Sequence, residues 1–162
     1  MNKKSNLNKL VLTALFIAVS FIGSYIAIPG TTIALDSMTG FLGAITLGPI
    51  YGGIIGAIGH LFTSFLKGFP LSFPIHIVIA LSMFITMIVF GYTFKALKNK
   101  NKILAYVISL LVGVLFNGPI ATVMLMPLAG KGILSMIPIL IPGAVVNILI
   151  ALLINRFMPK NI

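Results

Sequence analysis

Long apolar segments, separated by short breaks of proline, glycine and lysine, dominate this sequence of 162 residues. Charged side chains make up only 7% of the chain, whereas a soluble domain carries about 25%. So few charges cannot cover a water-exposed surface, and an apolar segment of roughly 20 residues can cross a bilayer as a helix. The sequence therefore predicts an all-α integral membrane protein, folded as a single domain over residues 1–162.

Six transmembrane helices are predicted from the positions of the breaks. No small-residue cleavage site follows the first apolar run, so we expect a retained span and not a signal peptide. Ser72-Phe73-Pro74 suits a helix start, because Ser can cap a first turn and Pro fits within it. The predicted spans cover residues 7–28, 37–48, 50–66 and 72–97, then a fifth from the hinge at 98–102 to about 126, and a sixth from the loop at 127–132 to about 156.

The basic residues predict the orientation of these spans. Six spans place both termini on the same side, and positively charged residues concentrate on the cytoplasmic side of membrane proteins. Both termini are therefore predicted to be cytoplasmic. The cytoplasmic side would hold Lys3, Lys4, Lys9, Lys95, Lys98, Lys100, Lys102, Arg156 and Lys160, and the outer side Lys67 and Lys131.

Rare polar side chains then fall into one outer layer of the predicted bundle. Polar groups within a membrane are costly, so they are the natural candidates for function. A pocket open only to the outside needs them in that layer alone, whereas a channel would carry them along its whole length. The members of this layer are Asp36, His60, His76, Asn117 and Asn147, with Thr31, Thr32, Lys67 and Lys131 in the outer loops.

Each of these residues also has a purely structural interpretation. Asp36 can cap the second helix, His60 can hydrogen-bond to a neighbouring helix, and Asn147 can join two helices. Asn117 precedes Gly118-Pro119, where the proline frees a backbone carbonyl that the amide can satisfy. A broken helix within a membrane also often lines a cavity, so the structural and the ligand-binding interpretations both stay open.

Several functional classes are excluded by what the chain lacks. Asp36 is the only acidic residue, and there is no cysteine. The sequence has neither a phosphate-binding loop of the GxxxxGK[ST] type nor paired carboxylates, so we expect no ATPase or other enzymatic activity, no metal site and no cofactor. Ion-driven transport generally uses carboxylates within the membrane, which this chain lacks apart from Asp36.

The order of these features resembles the S components of energy-coupling factor (ECF) vitamin transporters, over nearly the whole chain. The first span carries Ala14 and Ala18, which match the AxxxA pattern of that family, and the third span is rich in glycine. Three further segments carry the resemblance: Thr32-Ile33-Ala34-Leu35-Asp36-Ser37, Leu47-Gly48-Pro49-Ile50-Tyr51-Gly52 and Gly68-Phe69-Pro70-Leu71-Ser72-Phe73-Pro74-Ile75-His76.

This resemblance implies a substrate-capture subunit in a bacterial plasma membrane. Ala14 and Ala18 would dock on a shared transmembrane coupling subunit, which is driven by two ATPase subunits. The ligand would bind between the outer parts of the later spans under the external loops. The matching substrate-binding positions are Asp36, Phe69, Phe73, His76, Asn117 and Asn147.

The segments around Asp36 and His76 are similar to those of S components that take up cobalamin precursors, of the α-ribazole type. A neutral polar pocket suits such a nucleoside-like ligand, and also riboflavin or a pyrimidine, while an anion such as pantothenate would require Lys67 or Lys131. Two other classes stay open: a small secondary carrier or channel, and a structural subunit of a membrane complex.

Overall fold

The computed structural model describes residues 3–29 and 33–158, with side chains from Asn6 onwards. Over these ranges the chain is helical, and its β pairing is an isolated antiparallel bridge between Ala27 and Ala34. The predicted all-α class is therefore confirmed. The helices are α1 (Lys3–Gly23), α2 (Ser37–Thr46), α3 (Pro49–Leu66), α4 (Phe73–Lys98), α5 (Lys102–Leu115), α6 (Ala121–Ala129) and α7 (Ile137–Phe157), with a π-helical turn at Phe116–Ile120 and a 3₁₀ helix at Lys131–Met136.

Five helical stretches in the described part of the chain are long and apolar enough to cross a membrane. They are Asn6–Gly23, Pro49–Leu66, Phe73–Lys98, Lys102–Ala129 and Lys131–Phe157. Helix α2 has only 10 residues, which corresponds to about 15 Å, half of a hydrocarbon core of about 30 Å. Residues 37–66 do form two helices, as predicted, but the first of them is shorter than a full span. The six-span topology with cytoplasmic termini stays a prediction.

Two predicted boundaries differ from the structure. Helix α1 ends at Gly23 and not near residue 28, because the Ile28 N–H donates to the Ile33 carbonyl and the Leu35 N–H to the Ile26 carbonyl, at 2.9 and 3.1 Å. Residues 127–132 are not a loop, since α6 continues through Pro127 to Ala129 and the 3₁₀ helix begins at Lys131. Gly130, with a φ of +74°, makes the turn between them.

A tightly packed hairpin of α2 and α3 forms the middle of the bundle. A Cβ atom on Gly52 would collide with the backbone of Ala44, so only glycine permits this separation of the two helices. Around the hairpin, Phe41, Phe90 and Ile148 are completely buried, and the Phe41 and Phe90 rings meet edge to face at 4.8 Å.

Helix α1 packs on the outside of this hairpin. It buries Thr13 and Ser20 against the bundle, and Ala14 and Ala18 lie on its exposed side. Large apolar side chains surround the two alanines on that side: Leu7, Leu10, Val11, Leu15, Val19 and Ile22.

Candidate functional site

A cavity of about 90 Å³ lies between α2, α3, the first half of α4, α6 and α7. Its α4 residues are Ile79, Ser82 and Met83, while Lys95 and Lys98 lie at the other end of that helix. Ser82 and Lys98 are separated by about 24 Å along the axis. The cavity thus lies in the lysine-poor half of the bundle, where the sequence places its outer polar layer.

Asp36 lines this cavity and also joins three helices. Its two carboxylate oxygens accept hydrogen bonds from the Ser37 N–H at 2.8 Å and from the Thr63 hydroxyl at 2.6 Å. Its backbone carbonyl accepts a hydrogen bond from the Ser20 hydroxyl on α1, also at 2.8 Å. The structure therefore shows the capping role of Asp36 and places the same carboxylate at the cavity wall.

Asn117 lies in the π-helical turn and faces the cavity. Pro119 supplies no backbone N–H, and the wider π-helical turn lets the helix continue although this hydrogen bond is missing. The Asn117 amide forms no hydrogen bond to a described residue, so it does not satisfy the freed carbonyl as the structural interpretation required. Its donor and acceptor capacity is available to the cavity.

Asn147 also lines the cavity, but its amide is used within the protein. The amide oxygen accepts from the Met38 N–H at 2.7 Å, and the amide nitrogen donates to the carbonyls of Ala34 and Gly143, each at 2.9 Å. These bonds attach the start of α2 to α7. Asn147 therefore shapes one wall of the cavity, with both amide hydrogens already donated.

Two cavity residues with unpaired hydroxyls were missed by the sequence-based prediction. Ser37 and Ser82 line the cavity, each at most 5% exposed, and their hydroxyls form no hydrogen bond to a described residue. A buried hydroxyl normally has a partner, so these two groups are free to bind a ligand or water. Small hydroxyl residues are common in membrane helices, and neither serine stands out in the sequence.

His60 and His76 form a buried pair that connects α3 to α4. His60 Nε2 lies 3.1 Å from His76 Nδ1, and the Ser64 hydroxyl lies within 3.1 Å of both nitrogens. Of the two rings, only His60 lines the cavity. The structure thus places His76, a predicted ligand contact, behind His60.

The two predicted aromatic contacts, Phe69 and Phe73, do not line the cavity in this structure. Their rings meet at 5.2 Å, and the Phe69 ring lies 5.8 Å from His76. Phe73 is 56% exposed and points out of the bundle. The reason is the connection between α3 and α4, in which Phe69 has a φ of +51° and turns the chain back across the helix ends.

The cavity wall combines a minority of polar groups with a larger apolar part, and it has no cationic side chain among the described residues. No group of three or more potential metal ligands occurs in the described part of the chain. Thr31, Thr32 and Lys160 lie outside the described residues, as do the side chains of Lys3 and Lys4. Apolar side chains face the polar groups across the cavity, namely Ile79, Met83, Leu125, Ile133, Met136 and Leu140.

A family model described as the substrate-specific component of ECF transporters matches residues 8–157. The chain belongs to this family. No curated protein and no solved structure gives a match to the sequence. As an S component, the chain is a multi-pass membrane protein and the substrate-binding subunit of an ECF importer, and its partners are an ECF module and a small-molecule substrate.

Proposed function

We propose that this S component captures a vitamin or vitamin precursor outside a bacterial plasma membrane and holds it in the cavity beside Asp36. The observation that carries the proposal is the set of unpaired polar groups on the cavity wall. Ser37, Ser82 and Asn117 form no hydrogen bond to a described residue, although they are buried or half-buried. Such groups cost free energy unless a ligand or water binds them.

The substrate that we propose is α-ribazole or a closely related cobalamin precursor. Its ribose hydroxyls match Ser37, Ser82 and Asn117, which can each donate and accept hydrogen bonds. Its planar, methylated base matches the apolar wall formed by residues such as Met83 and Leu140. Since the wall carries Asp36 and no cation among the described residues, an anionic vitamin fits it poorly.

Ligand entry requires the cavity to enlarge. Its volume of about 90 Å³ is well below the roughly 300 Å³ at which pockets for drug-sized ligands begin. We propose that Leu71 and Ile33, two of the cavity residues that lie outside the helices, move aside when the ligand enters. Phe69 lies in the same connection as Leu71, and Phe73 begins α4 directly after it, so we expect this movement to displace both aromatic rings.

Delivery depends on the partner subunits. We propose that Ala14 and Ala18 dock on the transmembrane coupling subunit of an ECF module, whose two ATPases supply the energy. Both alanines are exposed on α1, and small side chains allow two helices to approach closely. In this arrangement all 162 residues form one domain with six spans and cytoplasmic termini.

Calorimetry with the purified protein and α-ribazole tests the ligand site. We expect Asn117→Ala to weaken binding by about 10- to 100-fold, because a ligand group loses its partner inside a buried site. Asn155→Ala is the matched control, since Asn155 lies in the lysine-rich half of the bundle and does not line the cavity. Unchanged affinity in Asn117→Ala would move the site elsewhere. No binding of α-ribazole by the unaltered protein would exclude it as the substrate.

A further inference from the structure

We propose that His60 presents a fixed hydrogen-bond donor, the N–H of its Nδ1 atom, to the cavity. His60 would then select ligands that carry an acceptor at this point, such as an aromatic ring nitrogen or a carbonyl oxygen. The selection of ligands rests on the proposed function, because it takes the cavity as the ligand site. The position of the proton does not rest on the proposed function, since it follows from hydrogen bonds within the protein.

The argument for the proton begins at the connection between α3 and α4. The backbone N–H of Leu71 donates to Nε2 of His76, with the two nitrogens 3.4 Å apart. A ring nitrogen that accepts a hydrogen bond carries no proton, so a neutral His76 carries its proton on Nδ1. A doubly protonated His76 would instead point an N–H group at the N–H of Leu71.

The proton on His76 fixes the state of His60 Nε2. His76 Nδ1 lies 3.1 Å from His60 Nε2, and because Nδ1 is the donor, Nε2 must be the acceptor. The Ser64 hydroxyl fits this assignment, since it lies 3.0 Å from the donor and 2.8 Å from the His60 carbonyl. It can therefore accept from His76 while its own hydrogen goes to that carbonyl.

An imidazole without a proton on Nε2 carries it on Nδ1. His60 lines the cavity and is only 5% exposed, and its Nδ1 atom forms no hydrogen bond to a described residue. The N–H of Nδ1 is therefore the group that His60 offers to a ligand. Nε2 of His60 accepts the hydrogen bond from His76, so the proton cannot move from Nδ1 to Nε2 without breaking the hydrogen bond between the two histidines.

A fixed donor discriminates more sharply than the other polar groups of the wall. The hydroxyls of Ser37 and Ser82 rotate to donate or to accept, and the Asn117 amide offers both kinds of atom. At His60 a ligand N–H would face another N–H, whereas a ring nitrogen or carbonyl oxygen would form a hydrogen bond. In α-ribazole, the unsubstituted ring nitrogen of the base is an acceptor of this kind.

Nitrogen NMR of the ligand-free protein in lipid nanodiscs tests the assignment directly. The chain contains two histidines, so ¹⁵N-histidine labelling gives a simple spectrum that His60→Phe assigns. We expect Nδ1 to be protonated and Nε2 to be unprotonated in both rings. Without these hydrogen bonds, nothing would force the two rings into the same tautomer. A proton on Nε2 of His60 would overturn the proposal whatever the substrate is.

Two variants test whether the hydrogen bond from His76, and not the other surroundings of the ring, positions the proton of His60. In His76→Phe the donor to His60 Nε2 is gone, and we expect the form protonated at Nε2 to appear in the spectrum of His60. Ser64→Ala keeps the hydrogen bonds from Leu71 to His76 and from His76 to His60, so His60 should retain its proton on Nδ1. An unchanged His60 spectrum in His76→Phe would show that His76 does not position this proton.

Calorimetry with a pair of probes tests the use of the donor. The probes are α-ribazole and its analogue in which the unsubstituted ring nitrogen is replaced by C–H. We expect the analogue to bind at least about tenfold more weakly to the unaltered protein, and the difference to shrink in His76→Phe. Equal affinities would overturn the selection by His60. Failure of α-ribazole to bind at all would count against the proposed substrate, and the nitrogen spectrum would still decide the donor.

Discussion

Single hydroxyls inside this bundle differ in whether they have a partner, and Ser109, which does not line the cavity, has none among the described residues. Its Oγ atom is buried and forms no hydrogen bond to a described residue, whereas the Ser20 hydroxyl donates to the Asp36 carbonyl. We expect Ser109→Ala to raise the free energy of unfolding by about 0.5–1 kcal/mol, because an unsatisfied polar group is removed. Ser20→Ala, the matched control, should lower it by about 1 kcal/mol. Denaturant unfolding in detergent measures both, and a less stable Ser109→Ala would mean that the hydroxyl has a partner.

At the level of residues, the sequence predicted which half of the bundle carries the polar groups better than it predicted their directions. Asp36, Asn117 and Asn147 stand out in an apolar sequence, and all three line one cavity. The direction of a side chain depends on how its helix is rotated by packing, which no single sequence reveals. For this reason His76, predicted to contact ligand, lies behind His60.

Helix starts were easier to predict than helix ends. Pro74 lies in the first turn of α4, which begins at Phe73 as the sequence indicated. Helix α1 ends five residues early, because residues 26–28 form backbone hydrogen bonds with residues 33–35. Such pairing depends on the two segments meeting in space, and hydropathy alone carries no signal for it.

The start of α4 contains a strained residue. Ser72 precedes the helix with φ and ψ of 82° and 151°, and its hydroxyl does not cap the helix. That backbone region is occupied almost only by glycine. We expect Ser72→Gly to raise the free energy of unfolding by about 1 kcal/mol, because released strain exceeds the added chain entropy. Thermal unfolding in detergent measures the change.

Ser135 provides the control for this substitution. It lies in the 3₁₀ helix without a positive φ, and its hydroxyl donates to the Gly132 carbonyl at 2.8 Å. Ser135→Gly should therefore lower the stability by a few tenths to about 1 kcal/mol. If both substitutions destabilise the protein equally, the backbone of Ser72 is not strained.

On the scale of the whole molecule, the cavity beside Asp36 and the exposed side of α1 are separate surfaces, so the proposed ligand binding and the proposed docking can be tested independently. We expect the double substitution Ala14→Leu and Ala18→Leu to abolish uptake into cells that contain the ECF module, while ligand affinity stays unchanged. Leucine side chains would hold the coupling subunit away from α1. Ala96→Leu, on an exposed position of α4, is the control and should transport normally. Normal uptake by the double variant would exclude Ala14 and Ala18 as the docking site.

The small volume of the cavity has a consequence for timing. A ligand larger than about 90 Å³ would enter or leave the proposed site only when the segments around the cavity move. The residence time of the ligand is then governed by the opening rate as well as by affinity, and loop opening often takes microseconds to milliseconds or longer. Slow opening would keep the cargo in place while the subunit diffuses through the bilayer in search of its module. The same movement would be needed for loading, so fast capture and long retention would oppose each other at the proposed site.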